Sequence, residues 1–447
     1  MSNEPPKIIK VREFLGLALT IPPYQRPYKW STDSALTLFN DLYGAFKDAI
    51  PEYRIGTAVL HPETKIWENE NTPTTKFNIV DGQQRATTLS ILMYCFSKKL
   101  PKAEYSNLSK LLDEKAFKVL SVNSIVDNYE ILNSKLEEVP GEKVERFLTY
   151  ILDNCTVVKI ETNTEQEAFQ FFDSQNSRGK ELAPQDLLKS YHLREMSEEN
   201  ETEKVSIINS WENTDQKKLA AFFYSNLYPM VCWYKGKSGL YYSSKKIKTF
   251  KGLKQNNNYH FSIYHKAANL YIEHFNEEGM YELTSNKKLD QFQLTQPIIA
   301  GKRFFLFSLY YYDLQREVEK RYFHNSDMPT PDHGAGNIYI RNLFLNIVTF
   351  FVDKFNFEVL TDYRIKKLYK WCYSLRLVMH SVYPETIKKY ALGEHDRINK
   401  GKKLFNLISE MQSPEEFDSI ILDKVDPNNI KYNDKSVNMM KKIMGVE

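Results

Sequence analysis

The stretch Ile79-Val80-Asp81-Gly82-Gln83-Gln84-Arg85-Ala86-Thr87-Thr88-Leu89 does most to limit how this chain can fold. Phe77 to Val80 is strand-like, whereas Leu89, Leu92, Met93 and Phe96 recur on one helical face. A strand must therefore pass through a tight turn directly into a helix. Gly82 supplies a backbone that tolerates unusual dihedral angles or a close approach. The helix is expected to end at Lys98 and Lys99, because cations suit a helix C-terminus.

The same alternation of strand and helix predicts a mixed α/β domain over 1–195. Ser31 stands where it can cap a helix with Ala35, Leu38, Phe39, Leu42 and Phe46 inward. Tyr53 to Leu60 and Val157 to Ile160 read as strands. A helix with Ala168, Phe171 and Phe172 inward follows, then one carrying Leu187, Leu188 and Tyr191. Glu195 to Lys204 is polar and mostly acidic, which reads as a linker and sets off a second domain over 196–447. There the periodicity is largely helical. Leu343, Phe344, Ile347, Val348 and Phe351 share one face, and Leu368, Trp371, Cys372, Leu375 and Met379 another. His324 to Asn337 reads as a long loop. The expected fold class is α+β: an N-terminal α/β domain followed by a mainly α-helical region.

At 447 residues the chain has room for two or three domains. Its 29 Tyr and 27 Phe argue against disorder. A net charge of only +3 leaves nucleic-acid contact to a local basic groove. Cys95, Cys155, Cys232 and Cys372 are far apart and form no C-x-x-C pair, so neither a zinc knuckle nor a disulfide framework is expected. Met1 to Lys10 has no apolar signal core. Phe304 to Tyr312 falls far short of the ~20 residues of a membrane span. The expectation is a reduced, cytoplasmic protein without a membrane segment.

Chemistry concentrates in a few places. The free amides that open the helix after Gly82, and the helix dipole, favour an anion. Arg85 can add a bidentate phosphate contact. No G-x-x-x-x-G-K-[ST] is present, so an ordinary P-loop is not expected. Without a ligand, the same residues make a turn and a surface cation. In Ile21 to Trp30, prolines stiffen the run and present Gln25 and Arg26, with Tyr24, Tyr28 and Trp30 either packed or available for stacking. Asn176 to Gly179 looks like a helix end, and Asp186 opens the next helix. Phe304 to Tyr312, with Tyr241 and Tyr242, is read as core rather than as a base-stacking cage. Lys245, Lys246, Lys248, Lys251 and Lys254 are read as a solvated face rather than a DNA track.

Taken in order, Tyr24-Gln25-Arg26 with Trp30, Asp81-Gly82-Gln83-Gln84-Arg85 with Thr87-Thr88-Leu89, and Asn176-x-Arg178-Gly179 with Asp186-Leu187 resemble the N-terminal domain of GmrSD-like restriction endonucleases. The likeness extends to Pro297 through Lys302, Ser374-Leu375-Arg376 and Thr386 to Gly393. It implies a ParB/sulfiredoxin-like nucleotide fold. Gly82, Gln83, Gln84 and Arg85 would line a nucleoside-triphosphate site, with Gln25 and Arg26 opposite. Arg85 would stabilise phosphate charge. Asp81 would hold Mg²⁺ or orient the attacking water, and Gln84 could position that water. Asn176, Arg178 and Asp186 would form or support the far wall, and Tyr24 and Trp30 would support the pocket. Sulfiredoxin chemistry needs a cysteine in the phosphate turn. That turn has none, and Cys95 lies about two to three helical turns away, so the activity is excluded.

Many relatives carry a C-terminal HNH-like nuclease with a His-x-x-Pro core. Here His380 is followed by Ser-Val-Tyr-Pro, one residue too long, within a helical pattern. His333 stands in a loop without the expected companions. The resemblance is then to a stand-alone S-type subunit. Its partners would be a separate HNH-type nuclease and DNA, including modified phage DNA. The expected function is nucleoside-triphosphate binding and hydrolysis within a modification-dependent anti-phage restriction system. Two other classes stay open: a ParB-like nucleotide-dependent DNA-binding switch or adaptor without turnover, and a self-sufficient nuclease.

Overall fold

The computed structural model describes residues 5–22, 25, 27–65, 73–100, 107–113, 119–163, 167, 183–196, 201–277, 289, 292–323, 328–331, 334–432 and 436–446. They fall into two compact units, 1–181 and 182–447.

The first unit has the expected mixed character. Its elements are β1 (Lys7–Lys10), α1 (Val11–Gly16), β2 (Leu19–Thr20), α2 (Thr32–Lys47), β3 (Tyr53–Lys65), β4 (Thr74–Asp81), α3 (Gln83–Lys99), a 3-10 turn (Asn107–Asp113), α4 (Val119–Glu137), α5 (Gly141–Asp153) and β5 (Cys155–Glu161). The strands form one sheet in the order β1-β5-β3-β4-β2. β5 runs parallel to β3 and β2 parallel to β4, whereas β1–β5 and β3–β4 are antiparallel.

Alternation along the strands sends Ala58, Leu60, Ile79 and Val157 into the main core. Val59 and Val80 belong to a separate small cluster with Ile160. Phe147 of α5 meets Phe39, Tyr43 and Phe46 of α2 and Phe96 of α3, joining these helices into one layer. α2 starts as its sequence dictates. The Ser31 hydroxyl accepts from the Ser34 amide, and Ala35, Leu38, Phe39 and Leu42 are buried. α3 departs from the one-faced pattern read in its sequence. Every residue from Ala86 to Met93 is buried, because α4 and the 3-10 turn also pack against this helix. The helix expected around Ala168, Phe171 and Phe172 lies outside the described residues.

The second unit is mainly helical: α6 (Pro184–Arg194), α7 (Glu201–Asn213), α8 (Gln216–Phe222), a π turn (Phe223–Leu227), α9 (Tyr228–Trp233), a 3-10 turn (Ser244–Phe250), α10 (His260–Glu277), α11 (Lys302–Tyr322), α12 (Ala335–Phe355), α13 (Asp362–Val378), α14 (Pro384–Ala391), α15 (Leu404–Glu410), α16 (Glu415–Asp418) and α17 (Val437–Met444). α12 is its central helix and packs against α11, α13, α14 and α15. Leu343, Phe344, Ile347, Val348 and Phe351 are buried, as their spacing predicts. α12 is long and apolar enough to cross a membrane by composition, and two-thirds of its apolar window is buried against the rest of the protein. Arg341, Asn342 and Asn346 interrupt its apolar run.

Three expectations need correction. The polar stretch 195–204 does not separate the units, because α6 ahead of it belongs to the helical unit and α7 begins within it at Glu201. His380 is not in a helix: α13 ends at Val378 and His380 lies in an exposed bend. The 324–337 loop ends earlier than read, at Gly334, which opens α12. His333 lies outside the described residues. The aromatic run is core as expected, with Phe304, Phe305, Phe307, Tyr311, Tyr312 and Tyr242 buried and Tyr241 exposed.

Two buried polar groups explain why α6 is bound to this unit. Lys189 pairs with Glu212 of α7 at 2.6 Å, with side chains only 3% and 5% exposed. Removing one partner of such a pair strands a charge in the interior, whereas removing both does not. Lys189→Met should therefore cost ~3–5 kcal/mol in urea unfolding by stranding the Glu212 carboxylate, and Lys189→Met/Glu212→Leu should recover most of it. A single variant as stable as the wild type would refute this account.

The second group is His192, stacked on Phe304 at 3.7 Å. Its Nδ1 accepts from the Gly301 amide, so Nε2 carries the proton and donates to the Phe250 carbonyl. Burial holds its basicity well below the usual imidazole value of 6.5, and the Phe250 bond only partly offsets this. The unfolded chain therefore takes up the proton first as pH falls. Stability should be undiminished above about pH 6.5 and decline below it by up to ~1.4 kcal/mol per pH unit from this residue. Unfolding measured from pH 7.5 to 5 should show this slope, and His192→Gln should flatten it.

Candidate functional site

Parallel pairing of β2 with β4 brings the chain out of both strands at the same end of the sheet. The segment from Ile21 to Trp30 leaves β2 there, and Asp81 to Arg85 leaves β4. In β3, Val59 pairs with Asp81, so the backbone around Gly56 to Ala58 runs beside the turn. Gly82 adopts φ 93°, a left-handed conformation. A Cβ there would stand 3.2 Å from the Thr57 carbonyl oxygen and 3.4 Å from Ala58 Cα. The dihedral angle and the close approach both favour glycine.

Side chains tie the two exits together. Gln25 is buried, and its Nε2 donates to the Val80 carbonyl at 2.6 Å. Gln84 Oε1 accepts from the amides of Lys29 and Trp30 at 3.0 and 3.1 Å. Tyr28 is fully buried, with its hydroxyl 2.7 Å from Thr88 Oγ1. Asn128 of α4 donates to the Tyr28 hydroxyl at 2.9 Å and to the Trp30 carbonyl at 2.8 Å. Burial pushes the Tyr28 phenol up to about 12, so it stays a neutral donor. Tyr28, Thr88 and Asn128 thus strap the 27–30 segment to the start of α3. The sequence presents Tyr28 as a packed or stacking ring and does not single out Asn128, which carries no local signal.

Arg85 lies half-buried in the first turn of α3. Its Nη2 donates to the Thr57 carbonyl at 2.8 Å. Among the described residues it makes no ion pair. A guanidinium has five N–H donors, so one neutral acceptor leaves both charge and donors available. Arg85 shares a small crevice with Ile55, Gly56, Thr57 and Gly82. The amides of Gln83, Gln84 and Arg85 open the helix and have no acceptor within it. Asp81 ends β4 half-buried, and Gln83 is buried. Among the described residues, no three His, Cys, Asp or Glu side chains gather as a metal cluster. Burial raises the Cys95 thiol to about 12, which makes it an inert core group.

The structure therefore gathers Gln25, Trp30, Asp81, Gly82, Gln83, Gln84 and Arg85 at one end of the sheet. Tyr24, Arg26, Asn176 and Arg178 lie outside the described residues. Asp186 stands in the first turn of α6, in the second unit. As built, the arrangement can receive an anion between a helix start, a glycine turn and an arginine.

The sequence carries two family matches. Residues 8–193 match the GmrSD restriction endonuclease N-terminal domain, and this span includes every described site residue in the first unit. Residues 203–438 match a family of unknown function (DUF7834). No curated protein matches the chain. Residues 8–193 thus carry a GmrSD-like N-terminal domain, and by residues 203–438, more than half its length, the chain belongs to this family of unknown function.

Proposed function

We propose that the chain is the nucleotide-using subunit of a modification-dependent restriction system. It binds a nucleoside triphosphate at the Gly82–Arg85 turn and hydrolyses it in support of a separate HNH-type nuclease acting on DNA in the cytoplasm. The observation that carries this reading is Arg85: a half-buried guanidinium beside a glycine-opened helix start, held by the neutral Thr57 carbonyl, inside a domain that matches GmrSD. A mixed sheet with a Gly-x-x-Arg turn leading into a helix also supports a ParB/sulfiredoxin-like nucleotide fold for the first unit.

The roles follow from position. The amides of Gln83, Gln84 and Arg85 would meet the phosphates, and Arg85 would balance charge that develops as a phosphoryl group leaves. Gln25 and Gln84 hold the two exits in register. Mg²⁺ favours phosphates, water and one or two carboxylates over an all-protein cage, so Asp81 fits as its single protein carboxylate here. The ion would neutralise phosphate charge. Arg26, Asn176 and Arg178 would complete the pocket, with Tyr24 in support.

One observation favours a second reading, nucleotide sensing without turnover. Gln84 Oε1 is committed to two backbone amides, which leaves Asp81 alone to handle an attacking water. Phosphate release from a panel of ATP, GTP, CTP and UTP with Mg²⁺ separates the two. We expect turnover of at least one, and binding without release would favour the sensor. Arg85→Ala should lower turnover by roughly 100-fold or more while leaving the melting temperature nearly unchanged. Wild-type turnover by the folded variant would remove Arg85 from the site.

The purified chain should not cut plasmid DNA with Mg²⁺ or Mn²⁺. His380 is exposed and bonded only to the neighbouring Ser381 hydroxyl among the described contacts, without the convergent ligands a nuclease metal needs. Metal-dependent nicking by the pure chain, abolished by His380→Ala, would instead establish a self-sufficient nuclease.

A further inference from the structure

The pairing of β3 with β5 slips between Arg54 and Gly56. Gly56 lies at that irregularity with φ 145°, a conformation that favours glycine. The Arg85 guanidinium fills the space left by its missing side chain. A Cβ on Gly56 would come within 1.8 Å of Nη1 and 3.0 Å of Cζ. One residue further on, the Thr57 carbonyl accepts from Nη2 at 2.8 Å. That same carbonyl oxygen lies 3.2 Å from where a Cβ on Gly82 would stand. One backbone oxygen therefore adjoins both the arginine head and the glycine turn.

We propose that Gly56 and the Thr57 carbonyl form a seat that aims Arg85 at phosphates entering the Gly82 turn, which makes Gly56 a positioning residue for the nucleotide site. The inference rests on the reading of Arg85 as a phosphate-binding group. Irregularities in strands re-aim neighbouring groups. Here the slip lets a planar guanidinium lie against bare backbone. A carboxylate in the place of the Thr57 carbonyl would fix the head equally well but would neutralise it. A neutral acceptor fixes it and leaves the charge and the remaining N–H groups for an anion. The long arginine side chain is otherwise free among many rotamers, and ordering it in advance removes that cost from ligand binding. The competing account is a structural staple between α3 and β3, which would stabilise the fold without affecting phosphate affinity.

The test uses the full chain as wild type, Gly56→Ala, Arg85→Ala and the double variant, with two readouts. The first is calorimetric binding of inorganic tripolyphosphate and of ATP, GTP, CTP and UTP with Mg²⁺. The second is urea unfolding. Gly56→Ala should weaken tripolyphosphate binding by about tenfold or more, since a displaced group loses much of its effect. The double variant should bind no more weakly than Arg85→Ala. In unfolding, Gly56→Ala should cost less on the Arg85→Ala background, where the guanidinium it would strike is gone. If Arg85→Ala loses binding and Gly56→Ala keeps it, the seat is wrong and the phosphate-binding reading stands. If the wild type binds none of these probes, both fall. Should Gly56→Ala fail to fold, Arg85→Lys decides. It keeps the charge but lacks the planar fork, so it should bind tripolyphosphate as poorly as Arg85→Ala. Wild-type affinity in that variant would overturn the seat.

Discussion

Gly82 has no side chain, so the turn after β4 can lie against the backbone of β3 within 3.2 Å of the Thr57 oxygen, measured from where a Cβ would stand. Much of the site geometry follows from that approach. It sets the direction in which α3 starts and brings Arg85 over β3. It also places Gln84 where it can reach the Lys29 and Trp30 amides. A larger residue would push α3 away from the sheet, and these contacts would be lost together. The turn thus works as a joint whose tightness decides the position of several functional groups.

The strap from Tyr28 to Thr88 and Asn128 holds the other side of the joint. Its hydrogen bonds form a directed chain, with Asn128 donating to Tyr28 and the Thr88 hydroxyl also bound to the Gln84 carbonyl at 2.9 Å. Buried bonds of this kind are costly to leave half made. The strap therefore fixes residues 27–30 against α3 more firmly than apolar packing alone would. Gln25 adds a tie to β4 from the same segment. Such rigidity leaves little ordering for any ligand to impose.

Local chemistry made part of this legible in the sequence. The Ser31 cap, the inward face of α2 and the glycine demanded at position 82 each depend on a few neighbouring residues, and the structure shows them. The strap was not legible, because Asn128 and Tyr28 are 100 residues apart. Gly56 gave no signal either, since a glycine in a strand looks like a weakness until the arginine lying over it is seen. α3 was read as one-faced because Thr87, Thr88 and Ser90 look like a solvent face. They are buried, and Thr88 and Ser90 bond to backbone carbonyls of their own helix. Local rules fail in this way where long-range packing overrides them.

The same contest of local and long-range forces explains why the family match and the structural division end at different residues. The GmrSD-type match runs to residue 193, whereas the helical unit begins at 182. α6 lies in the overlap. Its polar residues look surface-like in sequence, yet Lys189 and His192 are buried and held by Glu212, Phe250 and Gly301 of the helical unit. A chain cut after 193 would leave a lysine without its carboxylate and a histidine without its two backbone partners. Buried polar groups are costly to keep without such partners, so the helix would be held less firmly. The end of the family match here marks only where the sequence similarity stops. The physical boundary lies earlier, where buried charge commits α6 to the helices that follow.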